Sequence, residues 1–102
     1  MIEHNFKGRT AVITGGAQGF GFAISKRMIN SGGKVIIWDI DKKAIEIAQK
    51  EINSKNFSFQ IVDITDFSNV EKSVSDLEKQ FGKIDIFINN AGMTGMNAKV
   101  WD

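Results

Sequence analysis

Four glycines stand within the eight residues Thr14-Gly-Gly-Ala-Gln-Gly-Phe-Gly21. Glycine has no β-carbon, so a turn rich in it lets backbone amides come close to a phosphate. A helix that begins there adds unpaired N–H groups and a positive dipole end. Asp39, Asp63 and the run Asn89-Asn-Ala-Gly92 lie at three further breaks between apolar runs, where carboxylates and carboxamides can meet a bound molecule. A glycine spacing alone is a weak signal and reads first as a tight turn; the placement of the loop and its agreement with the other positions decide otherwise.

The rest of the composition removes other chemistries. The 102 residues contain no cysteine, which excludes disulfides, thiolate nucleophiles and cysteine-ligated metals, and the one histidine is His4, near the start. No metal site is expected. Thirteen basic residues against 12 acidic ones give a net charge of +1, and the Lys and Arg are scattered rather than gathered in a stripe, so neither nucleic acid nor an anionic membrane is an expected partner. No apolar run approaches the roughly 18 residues of a membrane span, and the first ten residues lack a continuous apolar segment. A cytoplasmic protein is expected, with one core at most.

The elements that position these groups follow from the apolar pattern. Thr10-Ala-Val-Ile13, Val35-Ile-Ile-Trp38, Phe57 to Val62 and Ile84-Asp-Ile-Phe-Ile88 are short runs bounded by polar residues, as in strands buried on both faces. Between the first two, Phe20, Ala23, Ile24, Arg27 and Met28 fall at helical spacing, and Asn30-Ser-Gly-Gly33 suits a left-handed end. A second helix carries Ala44, Ile45, Ala48 and Ile52 on one face, with Asp41 as N-cap. A third carries Val70, Val74, Leu77 and Phe81; Asp66 and Ser68, the latter with Glu71 in a capping box, are equally good caps, and Gly82 ends the helix. Strand and helix alternate three times before the fourth strand. That order implies an α/β fold, with a parallel sheet covered on both faces and ligands at the carboxyl ends of its strands.

The glycine loop, Asp39, Asp63-Ile64 and Asn89-Asn-Ala-Gly92 all follow strands, so all fall on that one edge. Together, Thr-Gly-x-x-x-Gly-x-Gly at Thr14 to Gly21, an Asp after the second strand, Asp63-Ile-Thr65 and Asn89-Asn-Ala-Gly92 resemble the short-chain dehydrogenase/reductase family in its shorter, roughly 250-residue form. The resemblance runs from Phe6 to Gly92 and implies a Rossmann-type parallel sheet of four strands in order 3-2-1-4, truncated relative to the family. It implies that Gly15, Gly19 and Gly21 shape a pyrophosphate loop, with Gln18 and Phe20 beside it and Thr14 and Gly16 holding the turn. Asp63 and Ile64 match the pair that meets the adenine ring. Asn90, Ala91 and Gly92 match the segment lining the ribose and nicotinamide side, with Asn89 tying the central strands together.

At the end of the second strand a carboxylate accepts from both ribose hydroxyls of NAD, whereas a 2′-phosphate would face Asp39 at close range. One unit-charge pair at about 4 Å is worth about 4 kcal/mol at an effective dielectric near 20. Ile40 and Gln18 stand where a basic residue would favour NADP, so NAD is the expected cofactor. The family's hydride transfer uses a Tyr-x-x-x-Lys pair and a Ser downstream of Asn-Asn-Ala-Gly, and this chain has no tyrosine. No catalytic residue is therefore assigned. Residues 1–102 are expected to form one dinucleotide-binding domain with 93–102 a loop or tail, the N-terminal part of a longer, homo-oligomeric enzyme acting on a small molecule. A non-catalytic nucleotide-binding or assembly module and a flavodoxin-like fold are the competing expectations.

Overall fold

The computed structural model describes residues 7–90. Strands β1 (Thr10–Thr14), β2 (Lys34–Asp39), β3 (Phe57–Ile61) and β4 (Ile86–Ile88) alternate with helices α1 (Gly19–Asn30), α2 (Lys42–Ile52) and α3 (Phe67–Phe81). The sheet is parallel throughout, in the order β3-β2-β1-β4. Val12 of β1 pairs with Ile36 of β2 on one side and Phe87 of β4 on the other, while Ile37 of β2 pairs with Phe59 of β3.

The direction of travel across the sheet decides which face each helix covers. From β1 to β3 the chain steps one way, and right-handed crossovers keep α1 and α2 on one face. The return from β3 to β4 reverses the direction and puts α3 on the other. Ala11, Ile13, Val35, Ile37 and Phe57 accordingly pack with Met28 of α1 and Ala44, Ile45 and Ala48 of α2. The alternate residues Val12, Ile36 and Trp38 pack with Val62 and with Leu77, Val70, Val74 and Phe81 of α3. Both faces are covered, which is why β1 is buried at every residue. Trp38 is closed in by a hydrogen bond from its Nε1 to Gln60 Oε1, 2.7 Å, and by an edge-on Phe87 ring 5.2 Å away.

Four expectations are refined. First, Phe20, Ala23 and Arg27 do not join the buried stripe of α1: all three are exposed, and the buried stripe is Gly21, Ser25 and Met28. Met28 packs in the core with Phe22, Ile24 and Ile29 against it, while Gly21 lets the start of the helix lie close to the loop. Second, α3 is capped by Asp66, which accepts from the Asn69 N–H; the Ser68 alternative fails because Ser68 is already inside the helix. Third, β4 starts at Ile86. Asp85 instead makes two bonds with Thr10, its N–H donating to the Thr10 carbonyl and its Oδ2 accepting from the Thr10 N–H, both 2.9 Å, and Ile84 packs under α3. Fourth, the left-handed end of α1 falls at Gly32 (φ +94°), whose N–H donates to the Ile29 carbonyl. The Asp41 cap on α2 and the end of α3 at Gly82 (φ +82°) stand as expected. Among the described residues no helix is long and apolar enough to cross a membrane.

Candidate functional site

β1 has β2 on one side and β4 on the other, reached by crossovers on opposite faces. At such a reversal the connections diverge and leave a crevice beyond the carboxyl ends of the strands. The glycine loop opens into that crevice. Gly15 (φ +63°) turns the chain out of β1 while its N–H donates to the Trp38 carbonyl, 2.6 Å, so the loop stays fastened to β2. At Gly16 a β-carbon would lie 2.8 Å from Ile37 Cβ, so packing against β2 requires glycine there.

Gly21 does something different from Gly19. A β-carbon on Gly21 would lie 2.5 Å from the Gly15 carbonyl oxygen and 2.6 Å from Asn90 Nδ2, so only glycine lets α1 start this close to the loop and to the end of β4. Gly19 has φ +55° and open space where a β-carbon would stand. The loop is thus packed at Gly16 and Gly21 and open at Gly19. Gln18 occupies the N-cap of α1 in an extended conformation and makes no side-chain cap hydrogen bond, and the first turn carries no acidic residue. The leading amides of α1 therefore face the crevice without a side chain of their own to satisfy them.

Asp39 closes the β2 side. Its Oδ2 accepts from the Ala17 N–H at 3.3 Å and its Oδ1 from the Asp41 N–H at 3.0 Å, so one carboxylate joins the loop, the end of β2 and the entry to α2. Capping α2 is the work of Asp41, whose Oδ1 accepts from the Ala44 N–H. After β3, Asp63 Oδ1 accepts from the Thr65 hydroxyl at 2.6 Å and from the Thr65 N–H at 2.9 Å. The hydroxyl and then the amide hold the Asp63 carboxyl below the usual carboxylate range, against a smaller opposing effect of desolvation. Its backbone N–H donates to Asn69 Oδ1 from the first turn of α3. Ile40, Ile64 and Phe20 are all exposed large apolar side chains at this end of the molecule.

On the β4 side, Thr14 Oγ1 donates to Asn89 Oδ1 at 3.1 Å, which joins the ends of β1 and β4. Asn90 is buried, and its Nδ2 donates to the Gly15 carbonyl at 3.3 Å. Its side chain thereby fixes the loop from below. Ala91 and Gly92 lie outside the described residues. Sequence reasoning missed the roles of Ala17 and Asn69, one acting through its amide and the other as the support of Asp63. Neither residue type nor spacing marks either role.

The comparisons with known proteins agree with this architecture. A family model described as short chain dehydrogenase matches residues 9–101. The chain belongs to the short-chain dehydrogenase family. Among curated short-chain dehydrogenase relatives it is 36% identical over 102 residues to 2-dehydro-3-deoxy-L-rhamnonate dehydrogenase (NAD(+)) of Sphingomonas sp. (strain SKA58), covering 100% of this chain and 40% of that protein. It is 36% identical over 96 residues to a probable NADP-dependent mannitol dehydrogenase of Yarrowia lipolytica, covering 91% of this chain and 34% of that one. Among solved structures, the 3-ketoacyl-(acyl-carrier-protein) reductase from Brucella melitensis complexed with NADH superimposes with a TM-score of 0.75 at 35% identity, over 81% of this chain and 34% of that one. The chain thus spans 40% or less of the length of these relatives. The Rossmann-type sheet, its strand order and the oxidoreductase character of the relatives are common ground. The relatives differ in cofactor and substrate.

Proposed function

We propose that this chain is the NAD-binding portion, a single dinucleotide-binding domain, of an oxidoreductase that moves a hydride between NAD(H) and a secondary alcohol or ketone. The observation that carries the reading is the Asp39 carboxylate, held at the carboxyl end of β2 by the Ala17 and Asp41 amides. In this reading Gly15, Gly19, Gly21 and the amides after Gln18 hold the pyrophosphate, and Asp39 accepts from the adenosine ribose hydroxyls. Asp63 and Ile64 meet the adenine, with Ile40 and Phe20 flanking, and Asn90, Ala91 and Gly92 line the nicotinamide side.

The residues present fit such a group: the loop is packed beneath and open above, and the leading amides of α1 have no side-chain cap. When bound, the nicotinamide supplies the hydride, and this chain orients it and excludes the 2′-phosphorylated cofactor through Asp39. A sugar or polyol and a 3-oxoacyl thioester are the substrate classes in view, in a soluble cytoplasmic homo-oligomer. The chain by itself, which has no tyrosine, is expected to bind without turnover.

Calorimetric titration of NAD and NADP into the wild type and Asp39→Ala tests the cofactor assignment. The wild type is expected to bind NAD at least about tenfold more tightly, a difference of about 1.4 kcal/mol, and Asp39→Ala to narrow the gap. Equal affinities in the wild type sink the assignment.

The second reading is a non-catalytic NAD-binding or assembly module. Polypeptide mass from denatured protein isolated at source, measured beside activity, separates the two. A species of 11.3 kDa that binds NAD without turnover supports the module. An active polypeptide of about twice that mass, as a chain of roughly 250 residues requires, supports the enzyme.

A further inference from the structure

We infer that Thr65 and Asn69 are positioning residues that leave Asp63 a single free acceptor atom, and so make the site select a 6-aminopurine dinucleotide over its 6-oxo analogue. The inference rests on the reading above, in which Asp63 meets the base of NAD. Nearly every hydrogen-bonding atom of Asp63 is engaged. Its N–H donates to Asn69 Oδ1 at 2.9 Å, and its carbonyl accepts from the Asp66 N–H at 3.0 Å. Its Oδ1 takes both Thr65 donors, the hydroxyl at 2.6 Å and the amide at 2.9 Å. Among the described residues, only Oδ2 has no partner.

An ionised carboxylate oxygen accepts hydrogen bonds and donates none. The Thr65 hydroxyl, and after it the Thr65 amide, hold the Asp63 carboxyl below the usual carboxylate range, so it keeps that form at neutral pH. The N–H of Asp63, its other means of meeting a carbonyl oxygen, is held by the first turn of α3 through Asn69. Adenine brings an exocyclic amine to Oδ2. Hypoxanthine brings a carbonyl at the same ring position, and two acceptors then face each other. Its N1–H lies one ring position along, and reaching Oδ2 with it moves the ring against the ribose held at Asp39. Thr65 also fixes which end of the group faces out. Its amide can only donate, so in Asp63→Asn it retains the carboxamide oxygen and leaves the NH2 outward, and the preference for the base reverses.

Calorimetric titration with NAD and with nicotinamide hypoxanthine dinucleotide, at neutral pH and fixed salt, tests the inference, with circular dichroism of each variant recorded beside it. The wild type is expected to bind NAD at least about tenfold more tightly than the hypoxanthine dinucleotide. Thr65→Val should bring the ratio below about threefold, chiefly by weakening NAD, and Thr65→Ser, which keeps the hydroxyl, should restore it. Asn69→Ala should narrow the ratio from the other side, by strengthening the hypoxanthine dinucleotide through the released Asp63 N–H. Asp63→Asn should bind the hypoxanthine dinucleotide more tightly than NAD, an inversion that a merely structural role for Asp63 does not produce. If Thr65→Val fails to fold, the wild-type ratio and the Asp63→Asn inversion decide. A wild type that binds both dinucleotides equally, an Asp63→Asn variant that still prefers NAD, or a folded Thr65→Val variant with the wild-type ratio overturns the inference and leaves the NAD reading standing. A wild type that binds neither overturns both.

Discussion

Among the described residues, the three helices begin in two different ways. α2 and α3 each start behind an aspartate whose carboxylate accepts a first-turn amide, Asp41 from Ala44 and Asp66 from Asn69. α1 starts behind Gln18, which caps nothing, between a left-handed glycine and another glycine pressed against the loop. Two helix starts each satisfy one first-turn amide with their own aspartate and stabilise the fold; the third has no such side chain. The same dipole and the same orphan donors thus meet a side-chain acceptor at two ends and none at the third. The difference lies in one side chain at each cap and in how near the chain can approach.

The largest expected effect comes from blocking that approach. Gly21→Val puts carbon against the Gly15 carbonyl and Asn90 Nδ2, both backed by packed chain, and should cost about 3 kcal/mol in urea unfolding together with most of the NAD affinity. Gly19→Ala meets open space and should cost only the left-handed backbone penalty of about 1–2 kcal/mol. A Gly19 variant as unstable as the Gly21 variant would show the packed and open positions to be misassigned.

Next in size is converting α1 into a helix like its neighbours. The extended backbone of Gln18 already suits a cap, so Gln18→Asp should raise stability by about 0.5–1 kcal/mol. The same change should weaken NAD at least about tenfold, read by calorimetry, because the cap carboxylate then holds the amides and repels the pyrophosphate. Unchanged affinity would remove the uncapped start from the site. The converse variant, Asp66→Ala, should lose about 1 kcal/mol in thermal or urea unfolding with NAD affinity kept; a coupled loss of affinity would erase the contrast between the two kinds of helix start.

The smallest effect is a pH dependence at the far end of the sheet. The Thr10 N–H holds the Asp85 carboxyl below its ordinary value of 3.8, with help from the Lys83 and Arg9 charges and against some desolvation. Because the folded value is the lower one, the stabilisation is complete above 3.8 and is lost as pH falls through the folded value. Asp63, lowered by Thr65, adds a contribution of the same sign. Asp85→Asn should therefore show a smaller drop in Tm than the wild type between neutral pH and pH below 3.8, in melts recorded across that range; parallel curves would exclude Asp85 as a source of the acid sensitivity.

Most of the fold is legible in the residue pattern because it rests on local periodicity. The apolar runs place β1 to β3 within a residue or so, and Asp41 and Gly82 mark helix ends by chemistry that acts over three or four residues. β4 begins later than its apolar run because Asp85 is drawn into bonds with Thr10, 75 residues away in sequence. Phe20 keeps helical spacing yet points outward, since the buried stripe was chosen by the smallness of Gly21 and Ser25 where α1 meets the loop. At the site, residue type and position identify Asp39 and the glycines, but not that the Ala17 amide fastens Asp39 or that Asn90 turns under Gly15. Those are hydrogen-bond directions between distant segments, and composition holds no record of them.

By itself the sequence determined the alternation of buried strands and amphipathic helices, the glycines that permit a tight exit from β1, and the carboxylate after β2. Each depends on a residue's own conformational range or on neighbours within a turn. Only the tertiary structure decided that the glycines divide into packed and open positions, that one helix start of three stays uncapped, and that Thr14, Asn89, Asn90 and Gly15 meet at one point. The reversal of strand order brings β4 beside β1 and so gathers, at one edge, groups that the chain itself keeps some 75 residues apart.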